Sequence, residues 1–300
     1  MTYISGITFI KNGLTLGYPI LESIKSIEPL CDEIILNVGF ADPTCEKDDG
    51  TWEYLNDNLV GERYKFLKSW WDPAKTSQGL ILSEQTNIAL AEAKGKYCQY
   101  IQGDEALHEK DLQAIRDKVQ VLDERPEVDG LVFNYCHFYG NVDVEKFTKS
   151  TYKREVRLIR NGVGIKSWLD AQGFRHQDDS KLLCLAVDAQ VYHYGWARPE
   201  QVMSKKVHSF NKLYHGADYD SGRDFSYVRI YGIRPFKGTH PQVMEKWIRE
   251  NRSDIDVLKL PYQFKWGHLR LYIADFIEKL TGYRIGEYKN FRLAKSYHSL

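Results

Sequence analysis

The 300-residue sequence has no uncharged, mostly apolar run approaching the ~18 to 20 residues a membrane-crossing helix needs. Its first residues, MTYISGITFIKN, lack the basic segment followed by an apolar one that marks a secretory leader. Secretion and membrane spanning are therefore not expected, and the expected location is the cytoplasm. No excess of one charge exists either: 41 Lys and Arg face 41 Asp and Glu. That balance argues against broad electrostatic capture of nucleic acid. Cysteine is sparse and unpaired in pattern, with five residues (Cys31, Cys45, Cys98, Cys136, Cys184) and no C-x-x-C. Neither a zinc ribbon nor a disulfide framework is indicated; these thiols read as small apolar packing residues in a reducing compartment. Internal repeats and low-complexity tracts are absent. What the chain does have is 43% hydrophobic and 27% charged residues, the balance of a folded globular protein, and 13% aromatics, including 20 Tyr and 7 Trp.

The apolar pattern alternates between two periods. Ile4–Ile10 and Glu33–Val38 read as buried strands, separated by a helix that begins after Pro19 with apolar residues at Ile20, Ile24 and Ile27. A loop dense in Gly, Pro and Asp follows (GFADPTCEKDDG), then a short strand at Tyr64–Leu67 and a polar loop from Trp70 to Ser77. Gln78 to Lys94 reads as a helix closed by Gly95, and YCQYI as the next strand. Leu112, Ile115, Val119 and Leu122 then recur at helical spacing from Glu109 to Glu124. Strands alternating with helices predict an α/β fold: a mostly parallel, Rossmann-like sheet with helices on both faces. Beyond Pro126, DGLVFNYCHFYG, EVRLIR and LLCLAVDAQVYHY are strands with short connections, which gives an α+β half. From Pro199 the chain reads as helical. The expected divisions are 1–125, 126–198 and 199–300.

The most informative segment is Glu84–Leu112, EQTNIALAEAKGKYCQYIQGDEALHEKDL. It sets Asp104 and Glu105 just past the C-terminal end of a buried strand, the edge where open α/β sheets bind ligands. Carboxylates there are hard oxygen ligands suited to Mg²⁺ or Mn²⁺. Asn87, Ala89, Leu90, Ala93, Gly95, Tyr97, the strand to Ile101, and Gln102-Gly103-Asp104-Glu105 together resemble the nucleotide-sugar-binding stretch of glycosyltransferases with the GT-A fold, especially family 2. The sequence departs from that pattern at Gln102, where the family usually carries the first acid of an Asp-x-Asp motif. Asn12 matches the family's strand-then-Asn opening, and FADPT resembles its S-x-D-G-T loop through Asp42 and Thr44. Asn37 stands where the family often has an Asp facing the nucleotide base.

The resemblance implies a GT-A-like sheet followed by an acceptor half. It implies a metal-dependent, inverting transfer of a sugar from a nucleotide-diphosphate sugar to a glycan or lipid-linked acceptor, as in polysaccharide biosynthesis. Asp104 and His193, in AVDAQVYHYGW, would hold the Mn²⁺ or Mg²⁺; Asn12, Asn37, Asp42, Asn87, Gln102 and Asp104 would line the donor site. Asp170, in KSWLDAQGFRHQDD, is the expected base that deprotonates the acceptor, ahead of Asp178 and Asp179. His137 and Tyr139 are expected near the acceptor. Two alternatives stand beside this reading. A catalytically silent sugar-nucleotide or glycan-binding module is suggested by Gln102. A sugar-phosphate nucleotidyltransferase is disfavoured, because TFIKNGLTLGYP lacks the glycine-rich, cationic loop such enzymes use for a triphosphate. The last 40 residues carry 7 Lys/Arg against 3 acids, interleaved with aromatics from Tyr262 to Tyr297. They read first as a packed terminal helix or homodimer face, and second as a peripheral contact with an anionic membrane surface.

Overall fold

The structure is a computed structural model, and it describes residues 3–75, 79–148, 150–216, 218–219, 222–286 and 289–295. Ser77 and Gln78, bounds of the expected loop and helix, lie outside the described residues, as do Tyr288 and Tyr297 of the C-terminal segment. The first half runs β1 (Ile4–Ile10), α1 (Ile20–Ile27), β2 (Glu33–Phe40), α2 (Thr51–Asn58), β3 (Tyr64–Trp70), α3 (Leu80–Ala91), β4 (Tyr97–Tyr100), β5 (Glu105–Leu107) and α4 (Leu112–Glu124). The short helix α2 was not expected. Its sequence, TWEYLNDN, is polar and buries only Thr51 and Leu55, so no apolar stripe announces it. Helix α3 stops at Ala91, short of Lys94 and Gly95.

β3, β2, β1 and β4 lie side by side in that order, all parallel. Long apolar strands buried on both faces account for this. Ile4, Ile34 and Leu36 pack into one cluster with Ile24 of α1 and Ile115 of α4, whereas Ile7 and Ile35 pack with Ala89 of α3 on the other face. The chain leaves β3 and enters the sheet again on the far side of β1. β1 and β4 therefore flank a topological switch point, the place where an open α/β sheet forms a crevice beyond its strand ends.

The second half adds β6 (Gly130–Tyr139), β7 (Asn141–Lys146), β8 (Arg154–Arg160), β9 (Ile165–Trp168), β10 (Gly173–His176), the long β11 (Leu182–Trp196), α5 (Glu200–His215), β12 (Ile233–Pro235), α6 (Glu245–Asn251), α7 (Trp266–Thr281) and β13 (Phe291–Leu293). β8 joins β4 antiparallel and extends the same sheet, while β9 and β10 form a separate hairpin. β11 pairs parallel with β6 and antiparallel with β5. The result is the mixed α/β architecture that the GT-A resemblance implies, parallel at its core and antiparallel where the second half is added. Among the described residues no helix is long and apolar enough to cross a membrane. All five cysteines are free, and four are buried.

Candidate functional site

A cleft of about 660 Å³ opens at the switch point. Its walls come from the ends of β1 (Lys11, Asn12), β3 (Trp71) and β4 (Gln102, Asp104), from the β9–β10 turn (Asp170), from β11 (His193, Trp196) and from α5 (Lys206, Phe210, Tyr214). Of the residues singled out in the sequence, Asn12, Gln102, Asp104, Asp170 and His193 all line it.

Strand pairing builds the Asp104 cluster. In the β5–β11 ladder His193 stands opposite Glu105, and the Tyr194 N–H donates to the Asp104 carbonyl at 2.8 Å. His193 Nε2 comes to 3.7 Å from Asp104 Oδ2. The same strand faces β6, where His193 is registered with His137, and the two rings meet Nδ1 to Nδ1 at 3.0 Å. His137 Nε2 lies 2.9 Å from the Tyr152 carbonyl, which can only accept, so Nε2 carries the proton. Burial and the neighbouring His193 hold the His137 pKa well below its ordinary value, so His137 is neutral and its Nδ1 accepts from His193 Nδ1–H. With Nδ1 engaged by His137, Nε2 is the ring nitrogen of His193 that faces Asp104. A side chain on Gly195 would stand 2.5 Å from His193 Nε2 and 2.8 Å from Asp104 Oδ2, so only glycine leaves space for the pair.

The third member of the cluster is Lys206. Its ammonium is buried and donates to Asp104 Oδ2 at 3.0 Å and to the Gly195 carbonyl at 2.9 Å. Burial pushes the Asp104 carboxyl up, but Lys206, His193 and Arg198 outweigh it and hold the group well below the usual carboxylate range. Burial lowers Lys206 to about 8, the Asp104 charge opposing that shift. Two ligands of one ion at ~2.1 to 2.3 Å can stand as far apart as His193 and Asp104 do. However, the Asp104 oxygen already holds an ammonium, and among the described residues no three His, Cys, Asp or Glu side chains gather as a metal site. As arranged, the residues fit an ammonium rather than a divalent cation.

Asp170 is presented under backbone strain. Leu169 and Ala171, on either side of it, have φ of 51° and 57°, the left-handed region that costs branched or Cβ-bearing residues about 1–3 kcal/mol each. The turn packs on the start of α3 at Gly79, whose φ is 70° and whose Cβ, if present, would lie 2.9 Å from Asp170 Cβ. The Tyr214 hydroxyl stands 3.5 Å from Asp170 Oδ2. Burial, then Asp170, raises Tyr214 to about 12, so it remains a donor. Gln102, in the place of the family's first acid, spends its amide on the Tyr100 hydroxyl and the Ala171 carbonyl, which ties the β4 end to the Asp170 turn.

The other expected residues lie elsewhere. Asn37 is fully buried beneath α3, its amide donating to the carbonyl and side-chain oxygens of Gln85, and it does not reach the cleft. Asp42 is half-buried and closes its own loop through Thr44 and the backbone of Glu46 and Lys47. Asn87 exchanges two hydrogen bonds with the Ser167 backbone and fastens α3 to β9. Glu105 is withdrawn into the core: it takes both Arg157 Nε (3.0 Å) and Nη2 (2.8 Å), and both side chains are 0% exposed. Asp178 caps the Ser180 N–H, Asp179 pairs with Lys166, and Tyr139 donates to the Val228 carbonyl, all outside the cleft.

Sequence reasoning missed Lys11, Trp71 and Lys206. Lys11 follows β1, lies 5.1 Å from the Trp71 ring centroid, and has no ion pair among the described residues. Burial lowers it to about 8. Lys206 had a legible signal: Met203, Lys206, Phe210 and Leu213 recur at 3, 4 and 3, so a lysine lies on the apolar stripe of an amphipathic helix.

No protein-family model matches the chain, and no curated protein matches it. Among solved structures, it is similar to S. aureus TarS 1-349, at 13% identity over 73% of this chain and 67% of that one, with a TM-score of 0.36. The same protein in complex with UDP-GlcNAc aligns at 12% identity over 73% and 68%, with a TM-score of 0.39, and the longer TarS structure is covered to 41%.

Proposed function

We propose that the cleft binds a nucleotide-diphosphate sugar and transfers its sugar to a hydroxyl of a second glycan or lipid-linked substrate. The observation that carries this reading is the convergence, in one cavity at the switch point, of an unpaired cation (Lys11), a buried ion pair (Asp104, Lys206) with His193 beside it, and a carboxylate held out on a strained turn (Asp170). The cations match a diphosphate, and Asp170 matches a proton acceptor. In the transfer step, Asp170 takes the acceptor's hydroxyl proton as that oxygen bonds the anomeric carbon. The bond to the diphosphate breaks, and the nucleoside diphosphate leaves with the electron pair. Single displacement inverts the anomeric centre. Asn12 and Gln102 border the donor, and the Trp71 indole offers a flat apolar wall.

The acceptor side is the second cavity, about 1100 Å³, which lies between β6, β7 and α7 and shares Tyr152 with the first. The expectation of a packed terminal helix fits poorly with α7, which buries only Ala274. Trp266, Leu269, Ile273, Phe276 and Leu280 instead form an exposed stripe at helical spacing, and the cations Lys265, Arg270 and Lys279 lie on or next to the same helix. This combination suits an anionic lipid surface that presents a lipid-linked acceptor. A silent binding module is the alternative favoured by Gln102. A thermal-shift panel of nucleoside diphosphates and their sugars tests the donor reading, since ligand at 100 times its Kd adds about 2.7 kcal/mol. Stabilisation by one base class supports it, and stabilisation by none refutes it.

A further inference from the structure

We propose that Lys206 takes the place of a divalent cation in this site, so that the donor's diphosphate is met by a protein ammonium and donor binding needs no metal. This rests on the donor reading above and states which charge performs the work.

Three features of the structure support it. First, the ammonium is built in: it is anchored by Asp104 Oδ2 at 3.0 Å and the Gly195 carbonyl at 2.9 Å, and the rings of Tyr18, Trp196 and Phe210 surround it at 5.3, 5.7 and 5.8 Å. Such rings favour a cation over a neutral group. Second, an ammonium has three donors. Two are used, and the third has no protein acceptor among the described residues, while the side chain lines the cleft. A phosphate oxygen there would complete it. Third, a divalent ion on Asp104 would have to displace Lys206 or sit beside it. The first leaves a buried ammonium without its carboxylate, and the second places like charges in contact. Arg198, also buried nearby and bonded to the Gly195 carbonyl at 2.9 Å, makes a further cation still less favourable. Asp104 thus orients the cation rather than ligating a metal. As the leaving diphosphate gains charge, Lys206 and Lys11 offset it.

The test is calorimetric titration of UDP, GDP, CDP, ADP and dTDP into the full chain, once with EDTA and once with millimolar MnCl₂, together with Mn²⁺ titrated alone. The expected result is one diphosphate class bound with affinities that agree within about threefold in the two buffers, and no heat from Mn²⁺ alone. K206M should lose at least about tenfold in metal-free affinity, and K206R, which keeps a cation, should retain more of it; a wild-type circular dichroism spectrum and a single cooperative melt above the assay temperature show that the variants fold. If the wild type instead binds more than about tenfold tighter with Mn²⁺ and loses binding in EDTA, the inference is overturned while the donor reading stands. Unchanged metal-free affinity in K206M overturns it as well. Binding to no diphosphate in either buffer overturns both.

Discussion

Removing Arg157 separates the structural acid from the acid of the site. Glu105 accepts four hydrogen bonds: two from Arg157 at 3.0 and 2.8 Å, one from the Tyr135 hydroxyl at 2.7 Å and one from the Gln102 N–H at 3.1 Å. The guanidinium lies 5.1 Å from the ring centroids of both Tyr100 and Tyr135, and its Nη1 also donates to the Val156 and Gln172 carbonyls. In Arg157→Leu the Glu105 carboxylate stays buried with half its donors, and two carbonyls lose theirs. Breaking a buried pair by deleting one partner costs about 3–5 kcal/mol, and each stranded carbonyl about 1 more, part of which relaxation returns. Urea unfolding should therefore show a loss near 4 kcal/mol with an unchanged slope. The double variant Arg157→Leu, Glu105→Leu should recover much of it, because no charge is left stranded. Diphosphate affinity should fall in the single variant too, since the Gln102 N–H that Glu105 holds belongs to the loop leading to Asp104. A loss under about 1 kcal/mol, or a double variant worse than the single, would refute the scaffold role of this pair.

Three further outcomes follow from the same geometry. Burial raises Glu155 to about 7 against an ordinary 4.5, so the folded state binds more protons than the unfolded one between these values and stability falls as pH rises through that window. Glu155→Gln should remove about 3 kcal/mol of that fall in melts taken from pH 4.5 to above 7, and an unchanged pH dependence would contradict the burial argument. Lys11 and Lys206, each lowered to about 8 by burial, lose their charges above that pH, so diphosphate affinity should drop on the alkaline side by up to about tenfold per pH unit for each of the two. K11M should bind more weakly at neutral pH with a flatter profile, and an identical profile would remove Lys11 from the site. Co-flotation with vesicles containing anionic lipid should carry the wild type but not F276E/L280E; equal recovery with purely zwitterionic vesicles, or dimerisation that the variant abolishes, would assign the α7 stripe to something else.

Much of the parallel half was legible because long apolar strands and 3.6-residue spacing report burial directly, as in Ile4–Ile10 and Leu112–Leu122. The fates of Asp104 and Glu105 were not. Adjacent residues at a strand start point to opposite faces, so one carboxylate enters the cleft and its neighbour enters the core, and only the partner strand decides which. Asn37 illustrates the opposite difficulty: a position taken from family likeness proved to be a core amide serving Gln85. Lys206 lies 102 residues from Asp104, and a contact of that range is set by how α5 folds over the strand ends rather than by any local pattern.

Sugar transfer itself is tested most directly by one pair of numbers from a single preparation: donor Kd, and the rate of nucleoside diphosphate release in the presence of acceptor, for wild type and Asp170→Asn. A general base adds about 10²- to 10⁴-fold to rate without touching the donor. The account predicts a variant with wild-type melting temperature and donor affinity whose turnover falls by that factor. Wild-type protein that binds a nucleotide sugar yet never releases nucleotide from it would contradict transfer and leave a binding module; undiminished turnover in Asp170→Asn would take the base away from Asp170.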